Sequence, residues 1–332
     1  MNSFQYVSAK TPDEAISLIG PNGRYLAGGI DLLDEMKDYI VSPDILVNVK
    51  NTTEIIGGEK AAYDMSGHSG APGPPFLTLN GEITVAQIAA EENFKTYFIG
   101  LSEAASEVGS PQIRNVATLA GNLLQHSRCW YYRQPDIICL KRGGTTCYGA
   151  EGENKYLALY SGCACVSPIV SNLSVALTAL DAQAQVKRDG KEQSLSMHEL
   201  YLEAWANPAA HNALKPQDFL LSVTVHTKRT RSAYRQVSEK SEFDWALVSC
   251  AAAGNVANGT ITDARVVLGA VAPVPYMVEE ANQFLEGKPL TDETASKAAD
   301  IILKDAKPLA QNGYKVPLAH TLIRRTLLAL NS

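Results

Sequence analysis

No apolar run in this sequence reaches the ~18–20 residues needed to span a bilayer, so a membrane-spanning helix is not expected. The first residues, Met1-Asn-Ser-Phe-Gln-Tyr-Val7, have neither a basic stretch nor an apolar one. No secretion signal is therefore read there, although a folded chain can still be exported with a signal-bearing partner. Positive charge is not in excess. The 332 residues carry a formal charge of -6, which argues against a nucleic-acid partner held by phosphate contacts. Internal repeats and low-complexity tracts are absent. So is the G-x-G-x-x-G fingerprint of a Rossmann nucleotide site, and so are the tight C-x2-C pairs of a structural zinc site. Cysteine is missing altogether before Cys129.

What remains is ordinary globular material with one unusual stretch. Hydrophobic residues make up 45% and charged residues 19%, usual for a soluble protein. The length suits about two or three domains. The unusual stretch spans 115–165. It opens with Asn115-Val-Ala-Thr-Leu-Ala-Gly-Asn122. Cys129, Cys139, Cys147, Cys163 and Cys165 follow, leaving only Cys250 elsewhere. Disulfides need an oxidising compartment and favour small chains. Zinc prefers closely spaced thiolate pairs. An iron–sulfur cluster takes four thiolates and tolerates wide spacing. Buried free cysteines are also common, but Arg, Lys, Gly and Asn surround these, which reads as a polar loop. Cys250 lies in an apolar strand and reads as core.

A second stretch lies near the N-terminus. Thr11 can cap a helix beginning at Pro12, with Glu14 completing a capping box and Gly20 ending it. A short strand at 24–27 then leads through Gly28-Gly29-Ile30-Asp31 into a helical stretch at 32–37, with a further strand at 45–49. Strand, glycine pair, helix lets bare amides approach an anion, aided by the helix N-terminus. It fits a pyrophosphate cradle, but taken alone a glycine pair is a weak motif and fits an ordinary turn better.

Along the rest of the chain we expect strands at 55–58 and 76–79, and an exposed loop at 66–75 with a solvated His68. Asn80-Gly81 signals a hairpin whose return strand is 83–85. Two amphipathic helices are expected over 85–108, then a turn and a short extended run up to the Thr118/Gly121/Asn122 corner. Residues 207–216 read as an approach to a domain boundary. Strands follow at 220–226, 243–253 and 261–268, with a turn at Asn258-Gly259. Helices at 277–285, 292–305 and 317–330 complete the chain, the last with Leu318, Leu322, Ile323, Leu327 and Leu330 on one face.

In combination these motifs have a family look. Leu26-Ala-Gly-Gly-Ile-Asp-Leu-Leu33 resembles the A-G-G-T-D-L-L loop, and Ala117-Thr-Leu-Ala-Gly-Asn122 the A-T-L-G-G-N loop, of the FAD-binding medium subunits of the xanthine dehydrogenase/molybdenum hydroxylase family. Ala233-Tyr-Arg-Gln-Val-Ser-Glu-Lys-Ser-Glu-Phe-Asp-Trp-Ala-Leu-Val-Ser249 and Leu268-Gly-Ala-Val-Ala-Pro-Val-Pro275 resemble that family's C-terminal signatures. The resemblance covers nearly the whole chain. The cysteine-rich insertion is similar to that of the 4Fe–4S-bearing flavin subunits of bacterial aldehyde oxidoreductases and, more distantly, of 4-hydroxybenzoyl-CoA reductase. Ala120 stands where glycine is usual, Ile30 where threonine is usual, Asn172 for an aspartate, Gln236 for a lysine and Lys240 for an arginine.

The resemblance implies an α+β chain. A two-part FAD-binding domain of the PCMH/vanillyl-alcohol-oxidase-like kind would fill 1–218, divided at about 52/53, with the cysteine loop at 123–168. A C-terminal α+β domain of the CO dehydrogenase flavoprotein type would fill 219–332. FAD would lie in the cleft, held by Leu26, Ala27, Gly28, Gly29, Ile30, Asp31, Leu32, Ala117, Thr118, Gly121, Asn122, Asn172 and Lys240. Cys129, Cys139, Cys147 and Cys165 would hold a 4Fe–4S cluster, with Cys163 a neighbour. No acid–base residue is assigned. The implied partners are a molybdenum cofactor-binding large subunit, a 2Fe–2S small subunit and an external electron acceptor. The compartment would be the cytoplasm, or the periplasm by co-export. Three alternatives are kept open. One is the flavin subunit of a xanthine dehydrogenase or hydroxybenzoyl-CoA reductase-like complex. Another is a structural metal-binding subunit with a degenerate flavin site. The weakest is a free-standing FAD oxidase.

Overall fold

The structure is a computed structural model, described for residues 1–50, 52, 63–64, 76–241 and 243–331. The strand expected at 55–58 and the loop at 66–75 with His68 lie outside these residues. Three sheets organise the chain. Strands β1 (Gln5–Ser8), β2 (Gly23–Leu26) and β3 (Ile45–Asn48) form a small parallel sheet in the order β1-β3-β2. Parallel neighbours need crossovers, supplied by helices Pro12–Leu18 and Leu32–Lys37. Thr11 caps the first of these, with Pro12 at its start, as the sequence indicates.

The second sheet is antiparallel. Its strands are β4 (Tyr63–Asp64), β5 (Phe76–Asn80), β6 (Gln183–Arg188), β7 (Lys191–Ser196) and β8 (Phe219–His226), in the order β4-β5-β8-β6-β7. Pairing of Phe76 with His226 closes a long excursion of chain. The expected boundary at 218/219 therefore falls in front of a strand that belongs to this sheet. Moreover, Phe219 and Leu221 on β8 pack into the core of the small parallel sheet with Ala15, Ile19 and Val47. Hydrogen bonding and burial both hold β8 on the N-terminal side.

Strands β9 (Arg231–Val237), β10 (Val248–Ala257), β11 (Thr260–Gly269) and β12 (Tyr276–Met277) make the third sheet, with β13 (Lys288–Pro289) on β11. Strand side chains alternate between faces, and on β10 both faces are buried. Val248, Cys250 and Ala252 enter a core with helices Glu279–Leu285, Asp292–Leu303 and Lys315–Leu328. Ala251 and Ala253 enter the large core shared with the second sheet. Cys250 is thus core, as expected. The β10–β11 turn has Asn258 and Gly259 at positive φ, 50° and 74°, the conformation an Asn-Gly hairpin favours. The strand expected from 243 begins only at Val248.

The sequence misleads most between 80 and 123. The expected return strand at 83–85 is the start of a helix, Val85–Ala90. Thr84 and Gln87 form a capping box there, a local bond pair that overrides the hairpin signal. Three helices, Val85–Ala90, Glu92–Tyr97 and Ile99–Ser106, replace the two expected. The expected extended run is a pair of short helices, Pro111–Val116 and Leu119–Leu123, capped by Ser110 and Thr118. Among the described residues no helix is long and apolar enough to cross a membrane.

Candidate functional site

The glycine loop follows β2, where the chain must turn sharply. Gly29 has φ +74°, a left-handed conformation that glycine adopts freely. A Cβ on Gly28 would meet the Val116 carbonyl oxygen at 2.1 Å. Only a glycine lets this loop lie against the short helices ending at Val116 and starting at Leu119. Among the described residues nothing accepts from the amides of Gly28, Gly29 or Ile30. The second loop is different. Gly121 donates to the Thr118 hydroxyl at 3.1 Å, Ala120 donates to the Gly81 carbonyl at 2.9 Å, and Asn122 accepts from Ser171 at 2.7 Å.

Together the loops wall a cavity of about 1220 Å3. That exceeds the ~300–1,000 Å3 usual for a small-molecule pocket and suits an extended dinucleotide. Leu26, Ala27, Gly28, Gly29, Ile30, Asp31 and Leu32 line it, as do Ala117, Thr118, Gly121 and Asn122. Two expected residues are not among its lining. Asn172 is buried in a side-chain relay, donating to Gln236 at 3.0 Å, which donates in turn to Glu107 at 3.1 Å. Lys240 sits in an exposed turn where its amide donates to Asp244; the lining residues of that segment are Phe243, Asp244 and Trp245. The stretch 207–216, read as a boundary approach, forms a wall through His211, Asn212, Leu214 and Lys215. Its Ala/Pro/Asn composition resembles that of a linker, and nothing in the sequence marks it as a wall. Arg128 is a further lining residue. Its guanidinium lies 4.6 Å from the Trp245 ring centre, and its Nε is buried without a partner among the described residues.

Asp31 lines the cavity, but its carboxylate is already engaged. Oδ1 lies 2.6 Å from Arg133 Nη2 and 2.9 Å from Arg128 Nη2, and Oδ2 accepts from the His126 amide at 2.7 Å. Burial opposes its charge, yet the Arg128 and Arg133 guanidiniums outweigh burial and hold the carboxyl below its usual range. One helical turn on, Glu35 is 1% exposed. It accepts from Tyr132 Oη at 2.9 Å and lies 3.0 Å from His126 Nδ1. Asp31, Glu35 and His126 are close enough to share an ion, but two arginines already occupy the acidic groups. His126 stacks on His211 with ring centres 4.1 Å apart.

Behind this wall lies a small second cavity. Cys129, Cys139, Cys147 and Cys165 all line it, and Cys163 does not. All six cysteines are free thiols. A hydrogen bond from Cys165 holds the Cys147 thiol down to about 6, helped by the amides of Val166, Gly149 and Ala150. Burial pushes the Cys129 thiol up, opposed by the Tyr132 and Tyr131 amides. The loop carrying these thiols is fastened on its far side to the turn that precedes the helix Lys315–Leu328. Asn312 Nδ2 donates to the Leu157 and Ala158 carbonyls at 3.0 and 3.1 Å, and Gln311 and Asn154 bond reciprocally.

A parallel β-α-β glycine loop packed beside a capped corner, the two walling one cavity of dinucleotide size, defines a dinucleotide-binding class of protein. Sequence comparison agrees along nearly the whole chain. Residues 2–226 match the FAD binding domain in molybdopterin dehydrogenase, and residues 232–330 the CO dehydrogenase flavoprotein C-terminal domain. The chain belongs to this family of oxidoreductase flavoproteins, and the two matched stretches divide after β8. The aldehyde oxidoreductase FAD-binding subunit PaoB of Escherichia coli (strain K12) is 31% identical over 336 residues, covering 99% of this chain and 98% of the relative. The carbon monoxide dehydrogenase medium chain of Hydrogenophaga pseudoflava is 24% identical over 334 residues, covering 98% and 96%. Among solved structures, reconstituted CO dehydrogenase from Oligotropha carboxidovorans shares the fold at a TM-score of 0.75 and 18% identity, covering 99% of this chain and 98% of that one.

Proposed function

We propose that this chain is the flavin-bearing electron-transfer subunit of a heteromeric molybdenum-containing oxidoreductase acting on an aldehyde, or on an aromatic or heterocyclic substrate. Its partners are a molybdenum cofactor-binding large subunit and a 2Fe–2S small subunit. The observation that carries the reading is the large cavity, with the free amides of Gly28, Gly29 and Ile30 and the buried unpartnered Nε of Arg128 as donors for an anionic dinucleotide. The full-length similarity to an aldehyde oxidoreductase subunit favours aldehydes. When bound, FAD supplies the electron exchange between the partner's 2Fe–2S clusters and an external acceptor. The residues of this chain bind and orient it. The glycine loop offers amides, Arg128 offers charge, and Trp245 and Phe243 add aromatic lining.

The second cavity has the donor set of a 4Fe–4S cluster, held by Cys129, Cys139, Cys147 and Cys165. Tetrahedral zinc, with bonds of about 2.3 Å, draws its sulfurs to roughly 3.8 Å apart. Among the described residues no three cysteine sulfurs lie within 4.8 Å of one another, so they do not form a closed zinc site as they stand. Amide donors to Cys129, Cys147 and Cys165 stabilise thiolates and tune potential.

The test is FAD, iron and acid-labile sulfide per chain after anaerobic purification. About one FAD with four irons and four sulfides is expected. FAD with zinc or without metal would remove the cluster. Iron without FAD would instead make this a structural metal-binding subunit with a degenerate flavin site.

A further inference from the structure

One turn of chain, residues 126–133, serves both cavities. On one side it carries Cys129, which lines the cysteine cavity together with Tyr131 and Tyr132. On the other side it grips the glycine loop, through Arg133 and the His126 amide on Asp31 and through Tyr132 Oη on Glu35. Tyr132 joins the two directly, because its ring lines the cysteine cavity while its hydroxyl holds the buried Glu35. Arg133 also bonds the Ser127 carbonyl at 2.8 Å, closing the turn on itself. Arg133 is absent from the lining of the large cavity, so it reaches that cavity through acidic residues that do line it, Asp31 at 2.6 Å first, with Asp34 and Glu35 each at 3.7 Å. We infer that the four-cysteine site sets the glycine loop for FAD: a metal cluster held by the cysteines fixes the 126–133 turn, and the turn, through Asp31 and Glu35, fixes the amides of Gly28–Ile30. Arg133 and Tyr132 are then positioning residues for the flavin, although neither belongs to a flavin motif. This rests on the cluster reading above.

The physical basis is linkage. A turn with two carboxylates on one side and a metal ligand on the other is ordered by either neighbour, so ordering it once lowers the cost for the second. Such coupling is reciprocal, and its usual size is about 5–150-fold in affinity. FAD binding must therefore also raise the equilibrium affinity of the site for its cluster by the same factor.

The experiment compares FAD affinity, by titration of flavin fluorescence, with iron content in the full chain. Four forms are compared: parent, Cys139→Ser, Arg133→Gln and the double variant. Cys139 is outside the Asp31/Glu35 network, so its loss acts only through the cluster. We expect Cys139→Ser to lose iron and weaken FAD about ten-fold. Arg133→Gln should keep iron, which reports a folded loop, and weaken FAD by a similar factor. The double variant should be no weaker than about two-fold beyond either single variant, because both break one connection. Iron stripped from the parent by an anaerobic chelator should give the same weakening without any substitution, and added FAD should leave more iron bound at equilibrium with a given chelator concentration. Unchanged FAD affinity in the stripped parent overturns the coupling while leaving the cluster intact as a finding. Parent protein with no iron overturns the cluster reading, and unchanged FAD affinity in Arg133→Gln then overturns the brace as well.

Discussion

The Lys315 ammonium lies 2.8 Å from the Ala270 carbonyl and 2.9 Å from that of Tyr156, fully buried and without an ion pair among the described residues. Ala270 has φ +61°, an unfavourable conformation for alanine. A charge on the last long helix thus ties the cysteine loop to the end of β11.

Burial presses the Lys315 ammonium down to about 7 from the usual 10.5. A lowered folded-state value for lysine means that the unfolded chain holds more protons between about 7 and 10.5. Stability therefore rises with pH across that window, by up to about 1.4 kcal/mol per pH unit from this group. Thermal unfolding of the parent and of Lys315→Met, followed from pH 7 upward, should show the rise in the parent and a flatter difference curve in the variant. Parallel curves would contradict it.

His211 gives the opposite end of the pH scale. Its Nδ1 accepts from the Ser127 amide at 3.2 Å. Burial first, then His126, Lys141 and Arg133, hold it well below 6.5. The unfolded chain takes up the proton that the folded one refuses, so stability falls as pH drops below 6.5. Replacing His211 by Gln should flatten the acid limb of a stability–pH profile.

Gly28→Ala should separate the two cofactor loops. The new Cβ meets backbone atoms of Val116 at 2.1 and 2.8 Å, which cannot rotate away. We expect FAD affinity to fall at least about ten-fold and stability by about 1–3 kcal/mol. Gly121→Ala meets only the Thr118 hydroxyl at 3.1 Å and should fold with much smaller loss. Equal FAD binding by the parent and Gly28→Ala would show that the loops need not touch.

Cys163 and Cys165 are neighbours with different surroundings. Cys163 Sγ lies 3.8 Å from Ser161 Oγ and 4.0 Å from the Cys165 carbonyl, outside the four-cysteine cavity. Cys163→Ser should retain iron in full, and Cys165→Ser should lose it. The reverse result would exchange the fourth ligand.

Much of the site is legible because short motifs act locally. Gly28-Gly29 and Thr118/Gly121/Asn122 need only their own backbone to form a wall, and they form it. The cysteines were separable by resemblance, and the cavity lining divides them the same way. What escaped depends on distant partners. Nothing near Asp31 in sequence announces Arg133, and nothing near Asn172 announces Gln236. The short helices at 111–123 start from caps at Ser110, before Pro111, and at Thr118, within a stretch whose Gly109, Gly121 and Asn122 are turn formers. Placement of β8 was hidden for another reason. An alternating strand looks alike from either sheet, and the pairing with β5 and β6 decides.

The fastening of the loop to Asn312 and Lys315 also bears on the order of assembly. Synthesis delivers the N-terminal part of a chain first. The thiols at 129–165 therefore leave the ribosome long before the two side chains that clamp residues 156–158 from behind. Until then that bank of the loop is held from Glu239 and Val271, at Lys155, Tyr156, Leu159 and Tyr160. A nascent or C-terminally truncated chain would hold its cysteines open, to metal loading and to oxidation alike, and completion of the last helix closes that interval.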